Sequence, residues 1–152
     1  MPTSCFITPE RCAVVHCLGQ SVEASAEAAR DLDQRARRFA EEMSLPIHQI
    51  CPRPGGETET LMSPGEKHNQ SCFLVSGAPL ESAVTWFSLS ALLEGFDVFV
   101  LADLTFTEQD AYRDLFFDRI RQRGGDVITM RQARLELTAL QRAVHTSGMQ
   151  PN

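Results

Sequence analysis

The stretch that decides the fold is residues 73–103, which read FLVSGAPLESAVTWFSLSALLEGFDVFVLAD. It opens with a short apolar run that ends at Gly77 and continues with a helical pattern that ends at Gly95. It closes with a second apolar run that ends at Asp103. A glycine just past a helical pattern is a common stop signal, and short apolar runs between such signals are typical of buried strands. The stretch therefore predicts a strand–turn–helix–strand unit.

Outside this stretch, short apolar runs also alternate with amphipathic patterns. Strands are predicted over 11–18, 46–50, 72–76, 97–102 and 127–130. Helices are predicted over 21–43, over 81–94, after the capping-box form Thr105 to Glu108, and in a last segment carrying Leu135, Leu137, Leu140 and Val144.

This alternation predicts an α/β fold with a parallel sheet. Right-handed crossovers favour a doubly wound, Rossmann-like arrangement of three layers, with about five strands and helices on both faces. The length of 152 residues predicts a single domain, 1–152. Within it we expect an irregular loop at 51–70 and a frayed tail at 146–152.

Composition limits the classes of function. A net charge of -6 argues against a nucleic-acid-binding protein, which usually presents a basic face. No apolar run approaches the ~20 residues of a membrane span, and the first residues show no signal-peptide pattern. These features predict a cytoplasmic protein. Its five cysteines lack metal-ligand spacing and are expected to be thiols: Cys5, Cys12, Cys17, Cys51 and Cys72.

In doubly wound folds, ligands bind at the carboxyl ends of the strands. In this chain those ends are predicted at 17–20, 77–82 and 103–105. A functional site is therefore expected where these three segments meet.

The residues of this region resemble the isochorismatase-like cysteine hydrolases, which include the nicotinamidases. In that family a strand ends in Gly, a short turn leads to Cys-Val at the start of a helix, the helix ends at Gly, and the next strand finishes in Ala-Asp. This chain has Gly77, Ala83-Val84, Gly95 and Ala102-Asp103 in that register, and the later Gly124-Gly125 matches the family's glycine-then-strand ending.

The resemblance implies a cysteine nucleophile, an aspartate base and a lysine that lowers the thiol pKa. Ala83 occupies the nucleophile position, and Leu18 occupies the aspartate position of an Asp-x-Gln pattern that retains Gln20. With the register shifted by one residue, Cys17 takes the aspartate position instead. Lys67 is the remaining lysine, in a shortened segment. We therefore expect a degenerate, non-catalytic member without cofactor or metal, which keeps the fold for binding or assembly.

The resemblance also defines a vestigial site and a turn geometry. The turn before the nucleophile contains a cis peptide bond in the family, so the Ala78–Pro79 bond is predicted to be cis. Asp103 is expected to cap or brace the loop after its strand, with a lone pocket acid as the alternative. The residues expected around the vestigial site are Cys17, Leu18, Gln20, Lys67, Ala78, Pro79, Ser82, Ala83 and Asp103.

Two alternatives remain open from the sequence. One is a diverged hydrolase of a small amide or ester that uses Ser82 or Cys17, although Ser82 is better explained as a helix N-cap. Strand alternation also places His16 on the opposite face from Cys17. The other is a sensor that binds a small molecule in the vacated pocket. The expected partner is a second copy of the chain in a homo-oligomer, through Trp86 and Phe87 unless these aromatics pack in the core.

Overall fold

Five parallel strands form the sheet in a computed structural model that describes residues 9–19, 26–52 and 71–149. The order across the sheet is β2-β1-β3-β4-β5, and every neighbouring pair is parallel. The strands are β1 (Cys12–Leu18), β2 (Ile47–Ile50), β3 (Cys72–Ala78), β4 (Asp97–Thr105) and β5 (Asp126–Ile128). The doubly wound α/β fold predicted from the sequence is confirmed.

Among the described residues, four α-helices connect or follow the strands: α1 (Ala26–Met43), α2 (Thr85–Leu93), α3 (Arg113–Gln122) and α4 (Met130–Met149). A π-helical turn, Leu80–Val84, leads directly into α2. Short 3-10 turns lie at Pro9–Arg11 and Asp110–Tyr112. The last helix extends to Met149, beyond the point where the sequence predicts a frayed tail.

The sheet separates two apolar cores because alternate strand residues point to opposite faces. Cys12 and Val14 of β1 face α1 and α4, whereas Ala13, Val15 and Cys17 face α2 and α3. The buried helix residues of the first core are Leu32, Ala36, Phe39, Ala40, Ala133 and Leu137. Those of the second include Phe87, Ala91, Phe117 and Ile120.

The helix predicted after Thr105 begins later than expected. Thr105 does not begin a helix, because β4 carries an irregularity that pairs Thr105 with Gly77 and holds it in the sheet. Its hydroxyl donates instead to the carbonyl of Ala102, at 2.9 Å. In α4, Leu135 is 62% exposed, and the core positions are Ala133 and Leu137.

The strand order changes direction between β1 and β3, since β1 leads to β2 on one side and β3 to β4 on the other. Such a switch point is where doubly wound folds bind their ligands. The carboxyl ends of β1 and β3 lie side by side there, with Leu18 paired to Ala78. This places the predicted site segments next to each other.

Candidate functional site

Ala83 lies in the π-helical turn that follows β3, at the start of the α2 layer. Its side chain is fully buried and belongs to the same apolar core as Leu80, Val84 and Cys17. A methyl group carries no acid, base or nucleophile. The position that opens the helix is therefore part of the hydrophobic core.

Gly19 closes the space in front of Ala83. A Cβ added at Gly19 would lie 2.7 Å from Pro79 Cδ and 3.2 Å from Ala83 Cβ. The Gly19 amide donates a hydrogen bond of 2.8 Å to the carbonyl of Ala78. The end of β1 therefore packs directly against the turn that follows β3, at Ala78 and Pro79. Leu18, the last residue of β1, is half-buried.

The turn between β3 and the π-helical segment is held by the strand on its other side. The Ala78–Pro79 peptide bond is cis, as predicted from the sequence. The Leu80 amide donates to the carbonyl of Phe106 at 2.8 Å, and the Phe106 amide donates to the carbonyl of Gly77 at 3.0 Å. These backbone hydrogen bonds fix the turn against the end of β4.

Cys17 is completely buried on the α2 side of the sheet. Burial raises the pKa of the Cys17 thiol, and the nearby Cys51 acts in the same direction. A thiolate is the nucleophilic form of cysteine, and this environment disfavours it. The local electrostatics therefore oppose a nucleophilic role for Cys17.

Ser82 lies inside the π-helical turn and does not cap a helix. The residue that precedes the turn is Pro79, and no side chain caps its first amides. The amide of Ser82 donates to the Pro79 carbonyl at 3.3 Å. The N-cap prediction for Ser82 is wrong because the turn begins two residues earlier than the sequence pattern indicated.

Glu81, which sequence reasoning missed, ties this turn to a distant loop. Its two carboxylate oxygens accept backbone hydrogen bonds from Glu108 at 3.0 Å and Gln109 at 2.8 Å. The partners lie 27 and 28 residues later in the chain. No local sequence signal indicates such a contact.

Asp103 is directed to the N-terminus of α4. Its carboxylate accepts a hydrogen bond of 2.9 Å from the amide of Met130, and the side chain is exposed. Thr129 accepts a further bond of 3.1 Å from the amide of Gln132. A carboxylate at a helix N-terminus interacts favourably with the helix dipole. Asp103 therefore braces α4. Gln20 and Lys67, which were also expected around the site, lie outside the described residues.

Comparison with known proteins gives a curated relative at moderate identity. The probable hydrolase YcaC of Escherichia coli strain K12 is 30% identical over 89 residues. The alignment covers 56% of this chain and 43% of YcaC, so the chain spans less than half the length of the curated relative it matches. No protein-family profile matches the chain.

Solved structures resemble the chain over most of its length. The YcaC gene product of Escherichia coli, described as an octameric hydrolase of unknown specificity, has a TM-score of 0.72 at 20% identity, covering 91% of this chain and 85% of that one. The MAR1 ribonuclease of Caenorhabditis elegans has a TM-score of 0.68 at 17% identity, covering 97% and 98%. A protein assigned to the isochorismatase hydrolase family from Chromobacterium violaceum has a TM-score of 0.65 at 11% identity, covering 91% and 100%.

This chain has the fold of the isochorismatase-like cysteine hydrolases. At these identities the likeness establishes the fold, and a shared fold does not by itself carry an activity.

A row of polar side chains crosses the isochorismatase-like sheet on the face opposite Ala83. His16 Nδ1 lies 2.7 Å from Ser76 Oγ, and both residues are fully buried. His16 Nε2 lies 3.9 Å from Asp33 Oδ1, which accepts a bond from Gln49. The other Asp33 oxygen accepts from Arg37 at 3.1 Å. Burial lowers the pKa of His16, Asp33 opposes this effect and Arg37 adds to it.

The polar row has the residue types of a serine hydrolase triad but not its geometry. A separation of 3.9 Å between His16 and Asp33 exceeds hydrogen-bond range. Ser76 has no surface accessible to a substrate. The row therefore anchors α1 to the sheet.

The described residues contain neither a metal-ligand cluster nor a membrane-spanning helix. In residues 9–19, 26–52 and 71–149, no three His, Cys, Asp or Glu side chains are grouped to hold a metal ion. Among the same residues, no helix is both long and apolar enough to span a bilayer.

Proposed function

We propose that this chain is a non-catalytic member of the isochorismatase-like hydrolases that works by assembling with other copies of itself. The observation that carries the proposal is the closed surface in front of Ala83. Ala83 has no exposed surface, and a Cβ added at Gly19 would lie only 2.7 Å from Pro79 Cδ and 3.2 Å from Ala83 Cβ. A hydrolase needs an activated nucleophile with room for its substrate, and neither is found at this position.

The surroundings of Ala83 support the loss of catalysis. Asp103 is engaged at α4, and the half-buried Leu18 follows Cys17 at the end of β1. The alternative of a diverged hydrolase requires a base for Cys17 or Ser82, and in the part of the chain that the structure describes Cys17 lies in an apolar core. The imidazole of His16 lies on the other face of the sheet. The ribonuclease activity named for one structural relative is not carried over, because a net charge of -6 does not favour RNA.

A test of the non-catalytic proposal combines turnover with thiol trapping. We expect no hydrolysis of a panel of nicotinamide-like amides and small esters, and slow alkylation of Cys17 by iodoacetamide near neutral pH. The variants Ala83→Cys and Ala83→Cys with Leu18→Asp should remain inactive, because Gly19 and Pro79 still occupy the approach. Turnover by the unmodified chain, or fast selective alkylation of Cys17, would overturn the proposal.

Assembly is supported by the outward face of α2. The helix contains no charged residue over Thr85–Leu93, which is typical of a helix covered on all sides. Yet Trp86 is 38% exposed and Leu93 is 88% exposed. Residues seven apart share one helix face, so these two side chains form an apolar stripe, which we call the α2 stripe. Of the two aromatics considered from the sequence, Phe87 takes the core alternative, since it is fully buried.

A second copy is the proposed occupant of the α2 stripe. An uncharged stripe can pack against its own symmetry mate without repelling it, as an isologous interface requires. The description of YcaC as octameric shows that one relative of this fold assembles with copies of itself. Leu115 of α3, 62% exposed in the same helix layer, would extend the apolar contact.

Light scattering coupled to size-exclusion chromatography tests the assembly. We expect the unmodified chain to elute as an oligomer and the Leu93→Glu variant as a smaller species. Leu135→Glu is the matched control, because Leu135 is also exposed but lies on α4 in the other helix layer. A monomeric unmodified chain, or dissociation by Leu135→Glu and not by Leu93→Glu, would refute the α2 stripe as the interface.

A further inference from the structure

Two cysteines face each other at the amino edge of the sheet. Cys12 is the first residue of β1 and Cys72 the first residue of β3, and the two are paired in register. Cys12 Sγ donates to Cys72 Sγ across 3.1 Å. The structure holds them as thiols, in agreement with the sequence prediction for the described cysteines.

The register of the strands brings this contact about. Neighbouring strands lie ~4.8 Å apart, which is within the ~4.4–6.8 Å that separates the Cα atoms of disulfide-bonded cysteines. Both side chains point into the core under α1, where the next pair along the same face is Val14 and Leu74. The two sulfur atoms would have to approach by only ~1 Å to reach bonding distance.

We propose that Cys12 and Cys72 are a redox-active pair that forms a reversible cross-strand disulfide between β1 and β3. The inference is independent of the assembly proposal, since it concerns the opposite face and opposite end of the sheet. The bridge would tie together the two strands whose carboxyl ends carry Gly19 and Pro79.

The oxidant is a hydroperoxide, and hydrogen peroxide is the probe. One thiol is first oxidised to a sulfenic acid, with release of one water. The sulfur of the second thiol then attacks the sulfur of the sulfenic acid and displaces its hydroxyl group. This group takes up the proton of the second thiol and leaves as a second water. In sum, two thiols and one peroxide give one disulfide and two waters, and the two electrons pass to the peroxide oxygens.

Access for a small oxidant is provided by the position at the strand ends. Cys12 and Cys72 are only 1% and 3% exposed, but they follow the exposed Arg11 and the half-buried Ser71. The first residues of a strand open more readily than its centre. Brief opening of this edge would admit a molecule close to water in size.

Peptide mass spectrometry tests the pair. The folded chain is treated with hydrogen peroxide, alkylated with iodoacetamide and digested without reduction. We expect a cross-linked peptide pair containing Cys12 and Cys72, its disappearance on treatment with dithiothreitol, and an upward shift of the urea midpoint after oxidation. Cys17→Ser is the matched control and should form the cross-link at an unchanged rate, because Cys17 faces the other core.

The Cys72→Ser variant separates pairing from general oxidation. It should lose the cross-link and leave Cys12 alkylated or converted to a sulfenic acid. The proposal is overturned if Cys12 and Cys72 of the unmodified chain both remain fully alkylatable after peroxide treatment. It is equally overturned if Cys12 becomes linked mainly to another cysteine, or if the bridge forms only in urea.

Discussion

Gly77, the second-last residue of β3, allows a direct test of how closely β1 and β3 pack together beside Ala83. Its φ of +128° lies where side chains are rarely found. A Cβ added there would overlap the carbonyl oxygen of Cys17 and lie 2.7 Å from the Cys17 nitrogen. Gly77→Ala should therefore push β1 and β3 apart at the switch point.

Gly95 gives a matched substitution that separates strain from overlap. Its φ is +97°, and a Cβ added there meets nothing within 4 Å. Gly95→Ala should cost only the backbone term, about 1–2 kcal/mol. Gly77→Ala adds an overlap with a rigid strand, and overpacking of this kind costs a further ~1–3 kcal/mol or more. The total of about 2–5 kcal/mol is a large part of the ~5–15 kcal/mol that stabilises a typical domain.

Urea denaturation of the two variants measures this difference. The fluorescence of Trp86, the single tryptophan, reports unfolding, and far-ultraviolet circular dichroism provides a second probe. We expect Gly77→Ala to lose at least ~1 kcal/mol more unfolding free energy than Gly95→Ala, or to be recovered unfolded. Equal losses for the two variants would refute the argument that the close approach of β1 requires glycine at this position.

Three further predictions concern buried and capping groups. Because burial lowers the pKa of His16 below its ordinary 6.5, only the unfolded chain binds this proton as the pH falls below 6.5. Stability should then decrease by up to ~1.4 kcal/mol per pH unit as the pH falls below 6.5, until the folded chain also binds the proton. His16→Gln should flatten the profile in urea titrations, and an unchanged slope in the variant would assign it to other groups. Asp103→Ala should cost about 1 kcal/mol of unfolding free energy by removing the acceptor at the start of α4, and an unchanged urea midpoint would contradict that role. Glu81→Ala should cost about 1–2 kcal/mol through the lost bonds to Glu108 and Gln109, with Glu94→Ala as an exposed control that should leave the midpoint unchanged.

Local patterns predicted most of the fold. Apolar runs with glycine stop signals located all the strands to within a few residues, because a buried parallel strand requires a continuous apolar segment. Period-two alternation correctly separated His16 from Cys17. The start of α2 was misplaced because a π-helical turn has no distinct sequence signature, and the helix at Thr105 was misplaced because pairing with Gly77 extends β4.

The candidate site was only partly predictable. The alanine at position 83 is visible in the sequence, but the close approach of Gly19 to Pro79 and Ala83 depends on how β1 and β3 are placed side by side. Asp103 was expected to cap or brace the loop after its strand, whereas its carboxylate accepts a hydrogen bond from the amide of Met130 at the start of α4. These partners lie 27 residues apart, and no local pattern records such a contact.

By itself, the sequence determined the alternation of strands and helices, the two faces of each strand and the alanine at position 83. All of these depend on residue type and on periods of a few residues. Only the tertiary structure decided that Gly19 rests on Pro79, that Cys12 meets Cys72, and that the polar row lies under α1. Those contacts depend on strand order and register, which fix distances between residues as much as 60 positions apart. Residues 73–103 thus specify the strand–turn–helix–strand unit around Ala83. Residues distant in the sequence, such as Gly19, pack against this unit.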